Sequence, residues 1–268
     1  MLDSEPYLVR PGDRVDLAAR EANDDGGLVK DDARKRFARL TKRLTELQEL
    51  MTAESKHSLL VILQAMDTGG KDSTIHDVFG PLNAQGCYVA NFKVPSTLER
   101  NHDFLWRIHA RAPLLGNIAV FNRSHYEDVV IVRVKSLVEE ARWRARYEHI
   151  NAFEKMLADE RTVIVKFFLH ITKQYQKKRL QRRLDRFDKL WKFNPQDLAE
   201  RARWHEYMGA YEEALVRCST PWAPWYVVPA QKHWFRNLLI AEVLVERLEA
   251  LDMRFPQPDF DPKKITIE

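Results

Sequence analysis

The sequence predicts an α/β fold: a five-stranded parallel sheet flanked by helices, with a phosphate-type loop after its first strand. Three observations carry this expectation. Five short apolar runs, Leu59–Leu63, Tyr88–Phe92, Ile118–Phe121, Val163–Leu169 and Trp225–Val228, are rich in Val, Ile, Leu or aromatic residues. Longer helix-like stretches separate them, and near-continuous apolar strands alternating with helices belong to a parallel sheet covered on both faces. The first run leads directly into "QAMDTGGKDSTI", a glycine-bearing loop followed by residues able to open a helix.

The elements follow in order. Residues 1–29 are polar, contain "NDDGG" and read as an irregular N-terminal arm. The first residues, "MLDSEPYLVRPGDRVDL", lack the apolar stretch of a signal peptide, and no apolar run approaches the ~20 residues of a membrane span. Phe37, Leu40, Leu44, Leu47 and Met51 recur at spacings of three and four, so residues 30–55 form a helix with one apolar face. A single domain is expected over residues 30–255, and the Pro-rich residues 256–268 form a tail. With 268 residues, 45% apolar and 31% charged, the chain can bury a large core and stay soluble. Two cysteines are too few for a disulfide framework, which points to a reducing, cytoplasmic setting with no membrane partner. The net charge of +4 is mild, so the placement of the charges says more than their sum.

In a phosphate-binding loop a strand feeds a glycine turn that ends at a helix N-terminus. Backbone N–H groups meet the phosphate and a lysine neutralises it. The usual spelling is G-x-x-x-x-G-K-[ST]. Here Gly70 and Lys71 fit, Ala65 replaces the first glycine, Asp72 replaces the Ser/Thr, and Ser73 and Thr74 follow one step late. A plain glycine turn with a chance lysine is the alternative. Asp67 weighs against it, because a carboxylate inside an anion cradle repels phosphate unless a hard cation sits between them.

A second constellation, Arg123, Glu127, Asp128 and Arg133, follows the strand ending at Phe121. The carboxyl ends of parallel strands line the ligand crevice, so these residues should face the loop at 65–73. Asp128 would supply a second metal carboxylate and Arg123 a fork for phosphate oxygens. The alternative is a surface ion-pair cluster.

Together "QAMDTGGKDSTI", "FKVPS", "HDFLWRIH", "FNRSHYEDV", "WKF" and "APWYVVPA" resemble the family-2 polyphosphate kinases over about residues 30–250. The resemblance implies a P-loop kinase fold, thymidylate-kinase-like, with a helical lid. It implies Mg²⁺-dependent transfer of a terminal phosphoryl group between inorganic polyphosphate and a nucleotide, with Mn²⁺ able to substitute. It implies a homo-oligomer, a dimer or tetramer. On matching positions, Asp67, Gly70 and Lys71 correspond to the family's variant phosphate loop, and Arg123 and Asp128 to its second motif. Glu127 corresponds to the position that separates class III members, which accept AMP as well as ADP.

The stretch "KQYQKKRLQRRLDRFDKLWK" (173–192) carries nine Lys or Arg against two Asp. As one helix it would show an apolar stripe of Leu180, Leu184, Phe187 and Trp191 beside a basic stripe of Arg179, Arg182, Arg183 and Arg186. It falls where the family has its lid, at about 172–195, and its arginines can stabilise oxygens in flight. A solvated charged face is the bland alternative.

The expected site is therefore catalytic Asp67, Lys71, Arg123 and Asp128, with metal on Asp67 and Asp128. Phosphate would be held by Thr68, Gly69, Gly70, Asp72, Ser73, Lys93, Arg133, Arg179, Arg182 and Arg183. A polyanion needs cations along a groove, for which Lys93, Arg100, Arg107 and Arg111 are candidates. Two rivals stand beside this reading: an ATP-dependent nucleoside monophosphate kinase with the same loop and lid, and a non-enzymatic nucleic-acid binder using the basic stretch.

Overall fold

A computed structural model describes residues 2–267. Its sheet contains all five expected strands, here β2 (Ser58–Gln64), β3 (Cys87–Asn91), β4 (Ile118–Asn122), β5 (Thr162–His170) and β6 (Trp225–Pro229). The five are mutually parallel and follow the order β6-β5-β2-β4-β3. β2 lies at the centre and every one of its residues is buried, which explains its unbroken apolar spelling.

A sixth strand corrects the expected count. β1 (Leu8–Val9) pairs antiparallel with β6 at the sheet edge. The arm preceding the first helix is thus not irregular throughout. Val9 and Leu17 are buried, and the arm covers backbone groups that the edge of β6 would otherwise expose.

Helix α1 (Lys30–Glu54) buries Leu44, Leu47 and Met51 as its periodicity predicts and packs along α10 (His233–Glu249). A short helix, α2 (Lys71–Thr74), continues as a π-helical turn over Ile75–Phe79. Two brief helices, α3 (Thr97–Arg100) and α4 (Trp106–His109), precede β4. After β4 come α5 (Glu127–Val134), α6 (Glu140–Asp159) and, later in the chain, α9 (Trp204–Cys218), which pack together.

A buried ionic cluster ties this group to the sheet. Lys166 of β5 and Glu154 of α6 are both fully buried. The Lys166 ammonium donates to Glu154 at 2.5 Å, to the Tyr126 hydroxyl at 2.7 Å and to the Cys218 carbonyl at 2.6 Å. Three acceptors for three ammonium protons keep the charge satisfied without water. The cluster thereby anchors Tyr126, which caps α5 just beyond Arg123.

The basic stretch is not one helix. α7 (Lys173–Leu184) stops at Asp185, and Phe187–Lys192 form a separate 3₁₀ turn before α8 (Gln196–Ala202). The expected apolar stripe is broken with it: Leu180 is buried, but Phe187 is 92% exposed and Trp191 78%.

Candidate functional site

The site forms where β2 and β4 end side by side. After Gln64 the chain turns through Ala65–Gly70, with Thr68 at φ +67° and Gly70 at φ +103°. Only glycine adopts the latter without strain. Gly69 is fixed by crowding: a Cβ there would lie 2.6 Å from the Ala65 Cβ and 2.8 Å from the Met66 carbonyl. The Gly70 carbonyl accepts from the Ser73 hydroxyl at 2.9 Å and the Thr74 hydroxyl at 3.1 Å. These bonds start a helix whose first N–H groups have no side-chain cap. Such a terminus, carrying partial positive charge, attracts anions.

Lys71 folds back over the loop, its ammonium donating to the Ala65 carbonyl at 2.8 Å. Burial, reinforced by the nearby Arg123 charge, lowers its pKa to about 8 despite Asp67 and Glu127. The free protein therefore loses the Lys71 charge as pH rises through about 8. We predict that kcat/KM for the phosphate substrate, which reports free-enzyme ionisations, falls above that pH. Bound phosphate favours the charged form, so kcat should stay level to higher pH. A pH–rate profile with kcat/KM level from pH 8 to 10 would remove Lys71 from substrate capture.

Arg123 follows β4 in the left-handed region, φ +63°, and its N–H donates to Leu63 O at 3.1 Å. Its guanidinium then reaches Asp67 at 2.9 Å and Glu127 at 3.4 Å. Glu127 first and Asp67 second hold it firmly protonated against the cost of burial. Burial raises the Glu127 pKa, with Arg123 and Lys71 pulling the other way. Asn122 donates to Asp72 at 3.0 Å and to Asn91 at 2.9 Å, fastening the ends of β3 and β4 to the loop.

The loop faces the basic segment across a cavity of about 600 Å³. Its lining holds Asp67 through Ser73, Asn122, Arg123 and His233, together with Arg179, Arg182, Arg183, Arg186, Lys189 and Lys192. Eight Lys or Arg thus meet two Asp. Among the described residues, Arg179 and Arg182 have no carboxylate within ion-pair distance, whereas Arg183 pairs with Asp197 at 3.3 Å and Arg186 with Asp188 at 2.9 Å. Buried Gln176 of α7 links loop and segment. Its amide donates to the Asp67 carbonyl at 3.1 Å, and its oxygen accepts from Arg201 at 3.1 Å.

Four expected site residues do not line this cavity: Glu127, which lies behind Arg123 as its ion-pair partner, Asp128, Arg133 and Lys93. Asp128 turns to Arg146 at 3.3 Å and Arg107 at 3.8 Å, and burial lifts its pKa to about 6 against both arginines. In this arrangement it is an ion-paired carboxylate rather than a partner of Asp67 across a shared cation. Arg133 pairs with Glu213 at 2.6 Å and lies over the Trp143 ring. Lys93 is exposed outside the cavity. Of the four cations expected along a groove by the second strand, Arg107 is buried over the Phe92 ring, whereas Lys93, Arg100 and Arg111 are exposed, with Arg100 donating to the Pro95 carbonyl. Conversely, Asn122, Lys189, Lys192 and His233 line the cavity without having been singled out. For Asn122 and His233 the available signal was position, close behind the ends of apolar runs.

A glycine loop at the carboxyl ends of a parallel sheet, facing an arginine-bearing segment, defines a P-loop phosphotransferase. Residues 27–256 match the family described as polyphosphate kinase 2, and the chain belongs to that family. It is 51% identical over 266 residues to the AMP/ADP-polyphosphate phosphotransferase of Meiothermus ruber, covering 98% of this chain and 99% of that one. Identity is 39% to the ADP-polyphosphate phosphotransferase of Rhodopseudomonas palustris, over 96% of this chain and 93% of the relative. The crystal structure of polyphosphate kinase 2 from Arthrobacter aurescens superposes with a TM-score of 0.93 at 43% identity, covering 97% of this chain and 93% of that one.

Proposed function

We propose that the chain moves the terminal phosphoryl group of inorganic polyphosphate onto AMP and ADP by direct in-line transfer. The observation that carries this reading is the cavity, where an uncapped glycine loop and a bank of lysines and arginines share one space. A linear polyanion needs several cations along its length, and a single anchor would not hold it. The names of the relatives, an AMP/ADP- and an ADP-polyphosphate phosphotransferase, favour this donor over ATP. They favour it equally over the nucleic-acid reading.

Loop N–H groups and Lys71 hold the phosphoryl group, and Arg123, Arg179, Arg182 and Arg183 spread the charge on its oxygens. The acceptor is a phosphate oxygen already ionised at neutral pH, so no strong base is needed, and Asp67 would help position it only with a cation held between them. Glu127, beside Arg123 and Lys71, is the residue through which AMP is accepted along with ADP. Among the described residues no group of three or more His, Cys, Asp or Glu could hold a metal ion. Asp67 and Asp72, the carboxylates lining the cavity, fit a hard cation that arrives on the phosphates themselves. Bound there, Mg²⁺, or Mn²⁺ in its place, would neutralise phosphate oxygens that the side chains do not reach. The α7–α8 region is proposed as the lid, within a single domain of about residues 30–255 followed by a tail. A homo-oligomer, dimer or tetramer, working in the cytoplasm completes the proposal. Two unpaired cysteines are consistent with that compartment, and no helix among the described residues is long and apolar enough to cross a membrane.

The test is an assay without added ATP. Purified chain, Mg²⁺ and polyphosphate are incubated with ADP or AMP in separate reactions. We expect ATP from ADP and ADP from AMP. No product in either, with turnover when ATP and AMP are supplied together, would hand the site to a nucleoside monophosphate kinase.

A further inference from the structure

The first turns of α10 run past the phosphate loop. His233 lines the cavity, while Arg236, one turn on, is fully buried. Two of its guanidinium nitrogens, Nε and Nη2, donate to the Asn237 side-chain oxygen at 3.0 and 2.8 Å. The third, Nη1, is buried and has no hydrogen-bond partner. The carboxylate paired with the group is Asp77, at 4.0 Å, and Asp77 already accepts from the Asn237 amide at 2.8 Å. Nη1 packs against the loop itself: a Cβ on Gly70 would fall 2.1 Å from it. Gly70 therefore has a second role besides its turn geometry, since its missing side chain is what admits a cation beneath the loop.

A buried guanidinium with one unpaired nitrogen and a distant counter-ion is costly to the free protein. Burial lowers its pKa to about 10, with Asp77 opposing, so the group stays charged at neutral pH. The nearby charge other than Asp77 is that of Arg179, which is positive and opposes it. A phosphate on the loop would supply a negative one. We infer that Arg236 is a positioning residue for the phosphoryl group, a fixed cation behind Gly70 whose missing counter-charge arrives with the anionic substrate. This rests on the loop being where phosphate binds, as proposed above. It goes further in assigning part of the grip to a residue that the cavity does not expose.

The experiment compares melting temperatures with and without linear polyphosphate for the wild type, Arg236→Met, Arg236→Lys and Asp77→Asn, together with kcat and KM for polyphosphate. A ligand that binds only the folded state raises the melting temperature according to its affinity. For Arg236→Met we expect an unchanged or higher melting temperature without ligand, a smaller polyphosphate shift, and kcat/KM lower by roughly ten- to a hundredfold. Arg236→Lys should recover most of the shift, because it keeps the charge. Asp77→Asn should lower the ligand-free melting temperature and enlarge the shift, since it removes the competing anion. An Arg236→Met chain that fails to fold, that melts lower yet keeps the full shift, or that Arg236→Lys merely reproduces would overturn the inference and leave Arg236 a packing residue. A wild type that polyphosphate does not shift at all would instead overturn the polyphosphate reading, and the inference with it.

Discussion

Replacing Lys71 with methionine is expected to lower kcat by about a thousandfold, in the range found when a donor to a developing anionic charge is removed. The reason is positional. The ammonium is held over the loop by the Ala65 carbonyl, so it meets the substrate without first being ordered. The fold should survive, because methionine keeps the aliphatic stem and the free protein is relieved of a buried charge whose depressed pKa already records its cost. Circular dichroism and melting temperature should therefore match the wild type while initial rates collapse. A variant that retains a tenth of the wild-type rate would show that the loop backbone and the arginines suffice alone. A nucleic-acid binder predicts something else again, since its affinity would survive this change and fall steeply with salt.

The second large effect is expected at Arg123. Changing it to glutamine should lower kcat by roughly a hundred- to a thousandfold, with a smaller change in the KM for nucleotide. Arg123 stands between Asp67 and Glu127, so its removal leaves two carboxylates facing the phosphate site without the cation that now offsets them. Like charges brought together raise each other's pKa. The residual activity of Arg123→Gln should accordingly shift to lower pH, where Glu127 is protonated and the repulsion eases. A rate lowered equally at every pH would mean that Arg123 contributes only its own charge and does not manage that of its neighbours.

Much of this site could be read before the fold was known. Four of the five apolar runs lie on strands buried almost throughout, which must therefore be apolar on both faces, whereas β3, at the sheet edge, buries only Ala90 and keeps its apolar spelling half-exposed. The loop was legible because its glycines answer to steric limits, seen in the crowding at Gly69 and the positive φ of Gly70. What escaped had physical causes too. β1 is two residues long, too short for any periodicity, and it exists because β6 has an open edge to cover. The stretch at 173–192 has helical composition, yet Asp185 ends the helix and Arg186 turns to extended backbone, so Phe187 and Trp191 leave the stripe that ideal spacing gave them.

Single residues were the hardest. Asp128 sits one position from Glu127, and helical rotation is enough to direct one to Arg123 and the other to Arg107 and Arg146. No spacing rule reveals which arginines will be waiting. Arg133 and Lys93 were placed near the phosphates by proximity in sequence, and tertiary partners decided otherwise for Arg133. Arg236 is one of five Lys, Arg, Asp or Glu residues on α10, with Glu242, Glu246, Arg247 and Glu249, and nothing in the spacing marks it out. Its complete burial against the loop depends on how α10 packs beside α2, a long-range fact.

The central claim is that the polyphosphate chain occupies the space between the glycine loop and the α7–α8 arginines during transfer. The most direct measurement is a crystal structure of the chain with polyphosphate and AMP bound. We expect a continuous run of phosphates inside the cavity, one of them against the backbone N–H groups of Gly70–Ser73 and others beside Arg179 and Arg182. Phosphates seated elsewhere on the surface, with the cavity empty or filled by nucleotide alone, would contradict the account.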